Sequence, residues 1–207
     1  MLISSREAAQ ILAATALTRD RARRLLLAGF AGEGIRTRGS LLYEDARVRA
    51  LLDWPVVDPV ALRDTCKQGL FVARLRDLRS EPGNAEPGNA EPNSLPGGDL
   101  AQRQWQLSPW VRLEMRRVVE AQGFLPLVAT VCGFVASGAD ITAVWPGASG
   151  SGQGSTLDLE EPGTWFEEFR NRRFVTGPGS AWLLLRPRMT SAEPSALRRG
   201  TPQRGTL

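Results

Sequence analysis

Residues 80–99, SEPGNAEPGNAEPNSLPGGD, constrain this chain more than any other segment. The pentapeptide Glu-Pro-Gly-Asn-Ala occurs at 81–85 and again at 86–90, and a third copy begins at Glu91. Proline removes the backbone donor that helices and ladders need, and glycine adds freedom that is costly to lose. Little apolar side chain is present to offset that ordering. The segment is therefore expected to be a disordered, solvated linker whose root-mean-square span is roughly 25 Å. Folded structure must be assembled from what lies on either side of it.

The first 53 residues are densely punctuated for helix. Ser4 followed by Glu7 has capping-box spacing, and Ala8, Ile11 and Leu12 recur on one face, which predicts a helix over residues 5–14. Thr18 is an expected N-cap and Gly29 an expected terminator for a second helix that runs to Ala28. Ala22, Leu25 and Leu26 form its buried stripe. The opposite side carries Asp20, Arg23, Arg24 and Leu27, with Arg19 at its border, while Arg21 projects from another flank. Ile35–Arg38 and Leu41–Glu44 predict a hairpin turning at Gly39-Ser40. Asp45 is then the expected cap of a third helix, whose Val48, Leu51 and Leu52 close a small core.

These residues resemble the winged helix-turn-helix of the excisionase and MerR-type DNA-binding families. Ser4, Glu7, Ala8, Ala9 and Leu12 match the first helix of that pattern. Thr18, Ala22, Arg23, Arg24, Leu25, Leu26 and Gly29 match the second, and Tyr43 and Asp45 fall where the wing returns. The turn Ala13–Leu17 is a residue longer than usual, and Leu27 occupies a position that is often polar in relatives. The resemblance implies a winged helix-turn-helix domain over residues 1–55 and double-stranded DNA as partner. Arginine can donate two hydrogen bonds to guanine O6 and N7 in the major groove. The DNA-binding candidates are Arg19, Asp20, Arg23 and Arg24 on the second helix, with Arg36 and Arg38 on the wing.

The distribution of charge agrees with a polyanion partner. The net charge is +3 over residues 1–55, −1 over 56–104, −2 over 105–185 and +4 over 186–207, so the excess sits at the two ends. No histidine is present, which excludes Cys/His zinc sites and every Ser-His or Cys-His nucleophile pair. Cys66 and Cys132 are expected to be free thiols. The glycine-rich stretch 146–155 lacks the lysine a phosphate-binding loop requires. No apolar run reaches the roughly 18 residues of a membrane span, and the first residues do not have the pattern of a signal peptide. A cytoplasmic protein without a membrane partner is expected.

Residues 56–79 are expected to be a connecting segment, largely helical. Beyond the linker, Ser108, Pro109 and Gly123 bracket a helix with Trp110, Val111, Met115, Val118 and Val119 on its apolar face. A hairpin broken near 138–140, a strand at STLDLE, and a short helix burying Trp165, Phe166 and Phe169 follow. A last strand or hairpin is expected around Gly177-Pro178-Gly179, completing a small α+β domain over 100–188. Residues 189–207 are expected to be a disordered basic tail. The acidic residues show no spacing of a metal site or a catalytic carboxylate pair. The fold class expected is thus α+β, with no enzymatic activity, no catalytic or metal residues and no cofactor. The expected function is that of a transcriptional regulator or an excisionase-like recombination accessory factor. Its C-terminal domain would serve a homodimer or a protein partner. The alternative is an interaction adaptor that uses the helix-turn-helix surface for a protein.

Overall fold

Ser4 and Glu7 cap the first helix reciprocally. The Ser4 hydroxyl accepts from the Glu7 backbone N–H at 3.3 Å, and the Glu7 carboxylate accepts from the Ser4 N–H at 2.9 Å. This computed structural model describes residues 1–75, 100, 103–147, 154–175 and 180–186, and the fold is mixed α+β. Helix α1 spans Ser5–Leu12 and passes through a 3₁₀ turn, Ala13–Thr15, to Ala16, whose φ of 60° reverses the chain. Helix α2 spans Arg19–Leu27, with the Thr18 hydroxyl accepting from the Arg21 N–H. Ala8, Leu12, Ala22, Leu25 and Leu26 are all buried, so the apolar stripes of the two helices meet as their spacing requires.

Strands β1 (Leu2–Ser4), β2 (Ile35–Arg36) and β3 (Leu41–Glu44) form a small sheet in the order β1-β3-β2. The pairing of β1 with β3 was not expected, because three residues are too few to display a period. The Thr37 N–H donates to the Ser40 carbonyl, which places Arg38 and Gly39 at the hairpin tip, one residue earlier than expected. Helix α3 (Asp45–Ala50) also corrects an expectation. Glu44 occupies the N-cap and Asp45 lies inside the first turn, where its carboxylate pairs with Arg49 at 3.0 Å.

Among the described residues of the segment 56–79, helix is confined to α4 (Pro59–Thr65). Leu70–Leu75, expected to continue a helix, is instead strand β4, with Leu70, Phe71, Val72 and Ala73 buried in succession. A strand covered on both faces reads as a continuous apolar run, which periodicity alone does not separate from a buried helix. The remaining elements are β5 (Trp105–Gln106), α5 (Pro109–Gln122), β6 (Leu125–Val131), β7 (Phe134–Pro146), β8 (Gly154–Glu160) and β9 (Trp182–Leu185). They join β4 in a six-stranded sheet of order β5-β8-β7-β6-β4-β9, in which β4 and β6 are the parallel pair. The Trp182 indole N–H donates to the Gln106 carbonyl, so the sheet curves until a side chain bridges its edge strands. Helix α5 packs one face, with Met115 buried. A 3₁₀ helix, Thr164–Phe169, packs the other with Phe166 and Phe169.

Two further expectations are corrected. Strand β7 runs straight through residues 138–140, and the hairpin turns at Cys132–Gly133 instead, with φ of 55° and 97°. Gly138 is in strand because the Phe166 ring lies over it where a Cβ would sit. Trp110, placed by its spacing on the apolar face of α5, is 63% exposed. The expected linker at 80–99, the tail at 189–207 and the Gly177-Pro178-Gly179 turn lie outside the described residues.

Replacing Gly138 by alanine forces the Phe166 ring to move and is expected to cost about 1–3 kcal/mol in urea unfolding. Gly39→Ala, where nothing lies within 4 Å, serves as the neutral control. The cap carries a pH signature as well. The Ser4 backbone N–H first, and its hydroxyl second, hold the exposed Glu7 carboxyl below its ordinary value of 4.5. A depressed carboxylate contributes stability above its ordinary value and loses it as pH falls through its folded value. Ser4→Ala is expected to raise the Glu7 titration part of the way back, read by NMR of the side-chain carboxyl. An unmoved titration contradicts the cap.

Candidate nucleic-acid interface

The pairing of β1 with β3 draws the first turn of α1 against the hairpin, where the Ser5 hydroxyl donates to the Leu41 carbonyl at 2.9 Å. Helix α2 crosses beside them, and a groove of about 890 Å³ opens between α1, α2 and the β2–β3 hairpin. Arg19, Asp20, Arg23, Leu26 and Leu27 contribute one stripe of α2 to its wall. Arg36, Thr37, Arg38, Gly39 and Ser40 contribute the hairpin, and Arg6 comes from α1. A smaller recess of about 210 Å³ carries the surface on along α1 through Arg6, Gln10, Ala13 and Arg19.

Five of the six residues singled out by sequence, Arg19, Asp20, Arg23, Arg36 and Arg38, therefore line one groove. Arg24 does not. It is exposed on α2 but stands about 100° around the helix from Arg23, outside the lining stripe. Arg6 was missed, because its approach to the hairpin depends on the unforeseen β1–β3 pairing. The sequence signal was available in principle, since Arg6 immediately follows the capped serines that begin α1.

The groove is strongly cationic. Five guanidinium groups face one carboxylate, Asp20, which gives its lining a formal charge of +4. Among the described residues no ion pair or hydrogen bond engages the side chains of Arg6, Arg19, Arg23, Arg36 or Arg38. Most arginines elsewhere are employed differently. Arg47 pairs with Glu44 at the N-cap of α3 and Arg49 with Asp45 inside it, Arg170 and Arg172 pair with Glu167 and Glu168, and Arg186 pairs with Glu114. Arg116 and Arg173 donate to the carbonyls of Val144 and Trp54. Five unpaired cations are thus gathered where the backbone leaves a groove open, with the Ser40 and Thr37 hydroxyls at its hairpin side, whereas Arg24, Arg63 and Arg117 are unpaired among the described residues and lie outside it.

Five acids of the sheet region, Glu114, Asp140, Asp158, Glu167 and Glu168, are engaged in structure. The Trp165 indole N–H and the Gly163 backbone N–H both donate to Asp140, at 2.7 and 3.1 Å. Burial nevertheless pushes that carboxyl above its ordinary value, those two bonds act against the rise, and nearby Glu160 adds to it. The Trp145 indole donates to Asp158 at 2.8 Å. Both cysteines are free thiols. Cys66 is buried, and burial first and the Asp140 charge second push its thiol up to about 12, so it stays protonated and unreactive. Cys132 is half-buried at the β6–β7 turn. Among the described residues no group of three or more cysteine, aspartate or glutamate side chains is placed to hold a metal ion. Among them also, no helix is long and apolar enough to cross a membrane.

Comparison of the chain with protein-family models, with curated proteins and with solved structures yields no match in any of the three.

Proposed function

We propose that this chain binds double-stranded DNA through the arginine-lined groove, with residues 1–55 acting as a winged helix-turn-helix. One observation carries the reading. Five guanidinium groups from three separate stretches of sequence converge on one open groove, unpaired among the described residues, while most arginines elsewhere are tied to carboxylates or carbonyls and the unpaired Arg24, Arg63 and Arg117 stand apart from it. A helix fits the major groove, so α2 presents Arg19 and Arg23 to base edges and phosphates there. Arg36 and Arg38, at the hairpin and its tip, reach the flanking backbone or minor groove. Arg6 adds a phosphate contact beside them. A module of this size covers few base pairs, so a second copy or a protein partner bound through the sheet region completes a useful site. The role that follows is that of a transcriptional regulator or a recombination accessory factor.

The exposed Leu27, inside the groove wall, favours a second reading in which the same surface receives a protein. The two readings differ in their response to salt. DNA binding releases one counterion per neutralised phosphate, so four or five contacts give log K a slope of about −4 against log salt. Fluorescence anisotropy on a mixed set of duplexes at several salt concentrations measures this slope. Arg19→Ala combined with Arg23→Ala is expected to weaken binding at least about tenfold and to flatten the slope by about 2. Arg170→Ala, at a site paired with Glu167, is expected to change neither. Absence of binding at low salt, or indifference to the double substitution, overturns the proposal.

A further inference from the structure

Arg21 of α2 lies outside the groove and makes contacts elsewhere. The Arg21 guanidinium donates to the Cys132 carbonyl at 3.2 Å, and the Cys132 thiol donates back to the Arg21 carbonyl at 3.3 Å. The contact is reciprocal and joins residues 111 positions apart, the middle of α2 and the β6–β7 turn. Cys132 holds a positive φ, 55°, that a β-carbon disfavours and glycine accepts readily. A side chain kept at such a position has a contact to make, and here that contact is α2.

The same turn is gripped from both ends of the module. Phe30, just past α2, and Trp54, past α3, each pack against Phe134 with ring centroids 6.1 and 5.5 Å apart. Phe30 and Trp54 also meet each other edge to face. The Arg173 side chain donates to the Trp54 carbonyl, and its backbone N–H donates to the Pro55 carbonyl. Rotation of α2 about its axis is therefore resisted by aromatic packing at its C-terminal end and by the Arg21–Cys132 exchange at its middle.

We infer that Arg21 is a positioning residue for nucleic-acid binding. It locks α2 to the Cys132–Gly133 turn, so that the six-stranded sheet sets the angle at which Arg19 and Arg23 are presented. The inference rests on the DNA-binding reading of the groove, but its mechanical half stands apart from DNA. Any event that shifts the β6–β7 turn then alters affinity without touching a DNA-contacting side chain.

The test compares full-length wild type, Arg21→Ala, Arg21→Lys, Cys132→Gly and the Arg21→Ala/Cys132→Gly pair. Duplex affinity is measured across salt concentrations, and amide hydrogen exchange is measured without DNA. Arg21→Ala is expected to weaken binding about tenfold with the salt slope unchanged, because no phosphate contact is lost. Arg21→Lys, which keeps a donor for the Cys132 carbonyl, restores part of the affinity. Cys132→Gly relieves the backbone yet weakens binding several-fold, and the double variant loses no more than Arg21→Ala alone. In the free protein, Arg21→Ala is expected to speed exchange in α2 and at residues 132–134. A slope lowered by about 1 makes Arg21 a phosphate contact and overturns the positioning role. So do additive losses, or unchanged exchange. If wild type binds no duplex, the proposed function fails, and exchange alone decides whether Arg21 locks α2.

Discussion

Parallel pairing of β4 with β6 sets Phe71–Leu75 beside Leu127–Val131, across the whole repeat segment. Pairing of this kind is costly to initiate, because a long loop must close before the contacts form. Loop-closure entropy grows only slowly with length, however, so the long separation of the two strands along the chain adds little further cost once the pairing holds. β4 also pairs with β9 on its other side, and its side chains serve both faces of the sheet. The chain that enters β4 comes from Trp54, Pro55 and Val57, which are held by Phe134 and Arg173. The position of the N-terminal helices on the sheet thus depends on where this one strand lies.

The N-terminal elements were legible because local chemistry dictated them. A capping box, a threonine cap, a terminal glycine and two apolar stripes all pointed to the same helices, and the helices formed there. What failed was non-local. β1 is three residues long and owes its pairing to β3, some forty residues away. β4 was misread because burial on both faces erases the alternation that marks a strand. Gly138 signals a turn in sequence, yet serves a ring that packs over it from another element. The candidate site follows the same division. The α2 stripe and the hairpin arginines could be named from spacing, whereas Arg6 joined them only through the β1–β3 register, and Arg24 fell outside through a rotation of about 100°.

Gathering five guanidinium groups in one groove works against folding, because like charges repel and no carboxylate but Asp20 lies in the lining. Salt screens that repulsion over about 8 Å at physiological ionic strength, which lets the fold carry it at modest cost. A polyanion relieves it altogether. Asp140 and Asp158 hold indoles, Glu114, Glu167 and Glu168 hold arginines, and none of these acids lines the groove. Charge is therefore segregated in the fold as it is along the chain, with the cationic surface on the N-terminal elements.

The most direct measurement is an NMR titration of uniformly ¹⁵N-labelled, full-length protein with a DNA duplex at low salt. The account predicts backbone and arginine side-chain shifts centred on Arg6, on Arg19 to Leu27 and on Arg36 to Leu41, with α5 and β8 unmoved. Shifts centred on Arg170 to Arg173 or on the sheet, with the groove silent, would contradict it.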